Sequence, residues 1–230
     1  MTGTLINVLT VLTGGSLGLF LGGRLPERLK ATVIAGLGLF TTALGLQMFL
    51  KSENALIVLG GLLIGSLLGE WWHIEEGLRN LGAFLEARFA RGASSHFVRG
   101  FLTTSLLFCI GPMTILGAIQ DGLSGDYRLL AVKAVMDGFA ALAFASSLGV
   151  GVLFSALTVL IYQGAISLLA AQLSALLTTT MMNEMTATGG VILLGLAVSS
   201  LLEIKPIRSG NFLPALLISP LIVWILGLWK

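Results

Sequence analysis

Charge is what this sequence most lacks. Of 230 residues, 13 are Lys or Arg and 11 are Asp or Glu, so 10% are charged and the net charge is +2. A soluble globular chain carries about 25% charged residues, and so few polar groups cannot cover a water-facing surface. With no dense basic run, nucleic acid is not an expected partner. The single cysteine, Cys109, excludes an internal disulfide framework and a Cys-based zinc cluster. The two histidines, His73 and His96, lie in or beside one polar stretch and have no metal-ligand partner at helical spacing, so no metal is expected. A Ser-His-Asp triad and haem ligation lack an intramembrane histidine. There is no lysine-bearing phosphate loop. The expectation is a protein that is not an enzyme and carries no cofactor.

What is present in excess is apolar surface: 56% of residues are hydrophobic, 30 are glycine, and the mean hydropathy is +0.98. That excludes intrinsic disorder and makes the lipid bilayer the first partner. A membrane helix needs roughly 20 mainly apolar residues. Eight stretches qualify, at 3–23, 31–50, 54–71, 100–119, 129–149, 151–173, 185–203 and 210–229. The first has no basic start and no A-x-A-like site, so it reads as a span and not as a cleaved leader. Trp71 and Trp72 read as an interfacial anchor at one face, Trp224 and Trp229 at the other.

Orientation follows from the basic residues in the short loops. With eight spans and an external N-terminus, nine of the 13 fall inside: Arg24, Arg28, Lys30, Arg79, Arg88, Arg91, Arg99, Lys205 and Arg208. Outside stand Lys51, Arg128 and Lys230. The expected topology is multi-pass with both termini outside. Within residues 73–92, Ile74, Leu78, Leu81, Leu85 and Phe89 recur at helical spacing, and Glu75 and Arg79 form an i,i+4 pair. This reads as an amphipathic helix on the cytoplasmic surface, serving as a connector, or as a gate or partner-docking helix.

The chain resembles itself. Residues 3–12, GTLINVLTVL, and 151–160, GVLFSALTVL, are identical at six of ten positions. LGL at 44–46 then faces LGL at 194–196, and LLI at 62–64 faces LLI at 216–218. Spans one to three thus match spans six to eight. An odd shift of five spans makes equivalent helices enter from opposite sides, the inverted-topology repeat found in many secondary transporters. The expected fold is an all-α polytopic transmembrane helical bundle of about eight spans. It divides into repeat one (1–72), the cytoplasmic connector (73–98), a central two-span element (99–149) and repeat two (150–230).

Two places look broken. Gly111-Pro112 interrupts the fourth span, because proline removes a donor and crowds the preceding turn; Thr114, Gln120 and Asp121 follow. Residues 178–190 are polar yet hold no proline and little charge. They read either as a segment that dips or unwinds in the membrane, hinged at Gly189-Gly190, or as an external loop with Thr186 or Thr188 capping the seventh span. Unwound, Asn183, Glu184, Thr186 and Thr188 would offer oxygen ligands. In the fifth span Lys133 and Asp137 share a face. Lys133 is close enough to the external end to snorkel. Asp137 is a proton carrier, a sodium ligand, or half of a static ion pair. Asn7 matches Ser155 in the repeat and reads as an interhelical hydrogen bonder or a ligand contact. Gly14, Gly18 and Gly22, like Gly61, Gly65 and Gly69, form close-packing faces. They serve internal packing or a homodimer seam.

The stretches GAIQDGLSGDY (117–127), MMNEMTATGG (181–190) and LEIKPIRSGNFLPALL (202–217), with the opening GTLINVLTVLTGGSLGLFLG, resemble the hallmarks of an uncharacterised bacterial inner-membrane family that includes YdfK-like and YqgA-like proteins. The resemblance covers nearly the whole chain. It implies a bacterial inner-membrane location and brings no activity with it. The functional expectation rests on the residues: a secondary transporter or ion-coupled carrier of a small solute or ion, working by alternating access with Na+ or H+ coupling. The alternatives are a channel and a non-transporting scaffold.

Overall fold

The computed structural model of the chain describes residues 1–89 and 96–227. Expectations that fall on residues 90–95 and 228–230, among them Arg91, Trp229 and Lys230, lie outside the described residues. The described elements are all helical: α1 (Thr2–Gly22), α2 (Glu27–Phe49), α3 (Ala55–Trp71), α4 (Ile74–Phe89), α5 (Phe97–Cys109), α6 (Pro112–Ser124), α7 (Arg128–Leu148), α8 (Gly151–Leu168), α9 (Ala170–Leu176), α10 (Thr179–Leu196) and α11 (Ala215–Gly227). A π-helical turn, Ala197–Leu201, extends α10, and a 3-10 turn, Ser209–Phe212, precedes α11. Six helical stretches are long and apolar enough to cross a membrane, and up to eight if each bent pair counts as one. The chain is a multi-pass membrane protein by this measure.

Local chemistry sets the helix ends. Asn54 caps α3 by accepting from the Leu56 amide at 3.0 Å. Thr178 caps α10 by accepting from the Met181 amide at 3.3 Å. α6 opens on Pro112, whose missing N–H costs nothing in a first turn. It closes on Gly125, at φ 71° in the left-handed region that favours glycine.

The chain folds as two compact units, Met1–Leu37 with Arg79–Ala175, and Gly38–Leu78 with Leu176–Lys230. In the first unit α1 lies on α7. Gly14, Gly18 and Gly22 meet Gly138, Leu142 and Ser146 in rising order, so the two helices run parallel with backbones in contact. α1 and α8 are antiparallel, with Gly15 beside Leu153 and Met1 beside Gly164. α5 and α6 follow α8 in the same direction. Gly151 meets Phe97, Ser105 pairs with Thr158 at 3.0 Å, Ser167 donates to the Ala118 carbonyl at 3.0 Å, and Gly122 meets Ser167. Leu85 of α4 packs with Phe97 and Phe101.

In the second unit α3 and α11 are antiparallel: Gly61 meets Ser219, Gly65 meets Ala215, and Gly69 meets Asn211. α2 and α10 are antiparallel too. Gly45 meets Gly190 and Leu194, and Gly38 meets Leu201 and Leu202. Both glycine faces singled out in the sequence thus pack inside the chain.

Residues 178–190 are not unwound. Helix α10 runs through them from Thr179, capped by Thr178 and not by Thr186 or Thr188. Gly189 and Gly190 lie within it, so neither is a break; Gly190 lets α10 approach α2, where a β-carbon would stand 2.5 Å from the Gly45 carbonyl oxygen. Two of its hydroxyls bond within the helix itself. Thr186 donates to the Met182 carbonyl at 2.6 Å and Thr188 to that of Glu184 at 2.8 Å. Apparent polarity in the sequence is therefore compatible with a regular helix.

Candidate functional site

The first unit holds ionisable side chains in its interior. Lys133 and Asp137, one turn apart on α7, are 7% and 8% exposed. They form an ion pair through Asp137 Oδ2, so Lys133 folds onto Asp137 and does not snorkel. Asn7 of α1, fully buried, donates from Nδ2 to the same Oδ2 at 3.0 Å. Among the described residues, Asp137 Oδ1 accepts no hydrogen bond and the buried Asn7 Oδ1 has no partner. Asp137 is the tenth of 21 residues in α7, and at 1.5 Å per residue that is near the middle of the helix. A charge at such depth persists only when paired or functional.

One face of this interior is the break between α5 and α6. Ile110 and Gly111 are extended, with φ,ψ of −85°,108° and 163°,150°, and the two helices diverge by 62°. The last turn of α5 is partly satisfied: the Ile110 amide donates to Leu106, and Thr114 Oγ1 reaches back to the Phe108 carbonyl at 3.2 Å. Among the described residues, the amides of Gly111 and Met113 and the carbonyls of Leu107 and Cys109 have no partner. In hydrocarbon each such group costs several kcal/mol, and broken helices are tolerated where protein or a water-lined cavity receives them. Cys109, at the end of α5, is buried, and Gly117 of α6 packs against Leu130 of α7, three residues before Lys133. The break and the ion pair therefore share one interior.

Gln163 of α8 completes it. The side chain is fully buried, and neither Nε2 nor Oε1 has a partner among the described residues. It lies one turn before Ser167, which bonds to Ala118 of α6. In parallel helices, one turn back from Ala118 is Thr114, so Gln163 falls at the first turn of α6. Thr4 of α1, also fully buried and unpartnered, comes to the same level, since α1 runs antiparallel with Met1 beside Gly164. Leaving such groups unpaired costs about 1–3 kcal/mol each.

The remaining sequence candidates lie elsewhere. Asp121, 3% exposed, caps the start of α1: Oδ2 accepts from the Gly3 amide at 3.0 Å, and Oδ1 lies 3.2 Å from the Met1 amino group. Gln120 is exposed. In the second unit Glu184, fully buried, accepts from Ser52 Oγ at 2.8 Å, the Glu53 amide at 2.7 Å and the Asn54 amide at 2.8 Å. It serves as a carboxylate cap on α3. Asn183 donates to Glu53 at 2.7 Å, and Thr188 pairs with Ser219 at 2.6 Å. At the other end of α3, Asn211 donates to Glu70 at 2.6 Å and accepts from the Glu75 amide at 2.7 Å, while Arg208 pairs with Glu70.

Gln163 and Thr4 were not singled out from the sequence. Gln163 had a detectable signal, because Ser155, Val159, Gln163 and Ser167 recur every four residues along the sixth span. Among the described residues no three His, Cys, Asp or Glu side chains gather as a metal-binding group.

Comparison with known proteins extends over the same length of chain. The family model described as "Protein of unknown function (DUF554)" matches residues 2–224. "Uncharacterized protein YqgA" of Escherichia coli (strain K12) is 33% identical over 221 residues, covering 94% of each chain. "Uncharacterized membrane protein YdfK" of Bacillus subtilis (strain 168) is 29% identical over 230 residues, covering 98% of this chain and 97% of the relative. No solved structure matches.

Proposed function

This chain belongs to the DUF554 family of proteins of unknown function, and from its own geometry we propose that it is a secondary carrier, moving a small solute across the bacterial inner membrane by alternating access. The observation that carries the reading is a broken helix packed on the helix that bears a buried ion pair at mid-helix depth. Substrate and coupling sites of carriers are built from discontinuous helices near the bilayer midplane. Asp137 and Lys133 are the coupling pair, with H+ or Na+ taken at Asp137, whose Oδ1 accepts from no donor among the described residues.

The packing supports an inverted repeat. Each helix of repeat one lies antiparallel to its counterpart: α1 on α8, α2 on α10, α3 on α11. The offset that aligns LLI at 62–64 with LLI at 216–218 also equates Gly61 with Ala215 and Gly65 with Ser219. The contacts Gly61–Ser219 and Gly65–Ala215 are interchanged by that equivalence, as a pseudo-twofold axis between two helices requires. Eight crossings are supported by helix direction. A re-entrant α5–α6 would return to the end it came from, yet the pair tracks α8 from Gly151 to Ser167. Parallel α1 and α7 need an odd number of crossings between them, which α2, α3 and α5–α6 supply. The excess of basic residues in alternate loops orients both termini outward.

The test is flux of radiolabelled solutes into liposomes holding the purified protein under an imposed proton or sodium gradient. Saturable, gradient-dependent uptake that Asp137→Asn abolishes, while the variant keeps its melting profile with Lys133→Met added, is the expected result. Conductance at near-diffusive rates without saturation would replace the carrier by a channel.

A further inference from the structure

The polar groups at the break are specific enough to name a ligand class. Helix α6 begins inside the first unit, and a helix start carries roughly half a positive charge together with free amides. The Gly111 and Met113 N–H groups are those amides. Gln163, fully buried and without a partner at either amide atom, stands at the same turn by its register with Ser167 and Ala118. The register thus brings a third donor, Gln163 Nε2, to the level of these two amides, and none of the three is used among the described residues. Across Ile110 and Gly111 is the end of α5, with the Leu107 and Cys109 carbonyls open and the negative end of that helix behind them. The open Cys109 carbonyl and the open Gly111 amide flank the single residue Ile110, a separation of at most about 7 Å. A ligand that satisfies both must carry an anionic acceptor and a hydrogen-bond donor on neighbouring atoms. Because Lys133 and Asp137 are paired, their charges offset each other and no net negative charge there repels an anion.

We propose that the break between α5 and α6 binds a small α-hydroxy or α-amino carboxylic acid. The carboxylate is received by the first amides of α6 and by Gln163 Nε2. The adjacent hydroxyl or ammonium donates to the carbonyls ending α5. The assignment deepens the carrier reading and rests on it for the claim that such an acid is moved, although binding can be measured without transport. A bare inorganic anion fits less well, because it brings no donor to the α5 carbonyls.

The test is thermal unfolding of the full chain in detergent with lactate, L-alanine, propionate, lactamide or potassium chloride. Lactate or L-alanine raises the midpoint, while lactamide and chloride do not, and propionate does so more weakly. Gln163→Met weakens the apparent Kd of the effective acid roughly 10- to 100-fold, the loss expected for one hydrogen bond to a charged group. Gln163→Glu keeps the shape, sets like charge against the carboxylate and abolishes the shift; it keeps the test decisive where the methionine variant does not fold. A midpoint unmoved by both acids, equal shifts from chloride and lactate, or undiminished binding in a folded Gln163 variant overturns the proposal. Stabilisation by lactate without flux in liposomes removes the carrier and leaves the site. Flux of solutes that lack a carboxylate, with no shift from either acid, removes the site and leaves the carrier.

Discussion

Gly14 and Gly138 bring two helix backbones into contact: a β-carbon on Gly14 would overlap the Gly138 carbonyl. This is the closest seam of the first unit, and it holds α7, with Lys133 and Asp137, against α1, with Asn7. Gly14→Ala is expected to destabilise the protein by about 1–3 kcal/mol through overpacking. Gly36, with nothing within 4 Å, is the control. Gly36→Ala should be neutral or gain up to about 1 kcal/mol by helix propensity. Paired thermal melts in one detergent measure both, and equal midpoints would contradict the seam.

Removing one member of the buried ion pair leaves the other uncompensated. Lys133→Met and Asp137→Leu are each expected to cost about 3–5 kcal/mol, with the double variant recovering much of the loss. A double-variant cycle on the same melts gives the coupling. Additive losses would mean that the two side chains do not act as a pair.

Glu184 belongs to a different part of the molecule and should behave differently. Its carboxylate takes three donors at the start of α3, so Glu184→Ala should lower stability by roughly 1–3 kcal/mol. Flux per folded molecule should be unaltered, because the side chain is outside the polar interior of the first unit. A specific loss of flux in a variant with normal stability would move the site.

The orientation is open to labelling. In a Cys109→Ser background, Lys51→Cys should react with an impermeant maleimide applied outside intact cells, and Lys205→Cys only after permeabilisation. Both positions are exposed. The reverse pattern would invert the topology.

Much of this structure is legible in the sequence because membrane helices are read by length and apolarity alone. The stretch 3–23 is α1 and 129–149 is α7, each within one residue. The break at Gly111-Pro112 was legible for the same kind of reason, since proline constrains its own neighbourhood. Residues 178–190 misled because hydroxyl side chains suggest a loop, whereas Thr186 and Thr188 bond to carbonyls four residues back and keep the helix intact. Gln163 lies on a stripe with Ser155, Val159 and Ser167 that the sequence displays, but what that stripe faces depends on α6 standing beside it.

By itself, the sequence determined that the chain is a multi-pass membrane protein, where its helices fall and where one of them breaks. These follow from local quantities: apolar length, proline and loop charge. Tertiary structure alone decided which faces meet. The glycines of α1 face α7, Lys133 turns inward to Asp137, Glu184 caps α3, and Gln163 comes level with the first turn of α6. The physical reason is that lipid offers helices no hydrophobic drive to associate. Close packing and hydrogen bonds between distant residues choose the partners, and those contacts exist only once the helices have met.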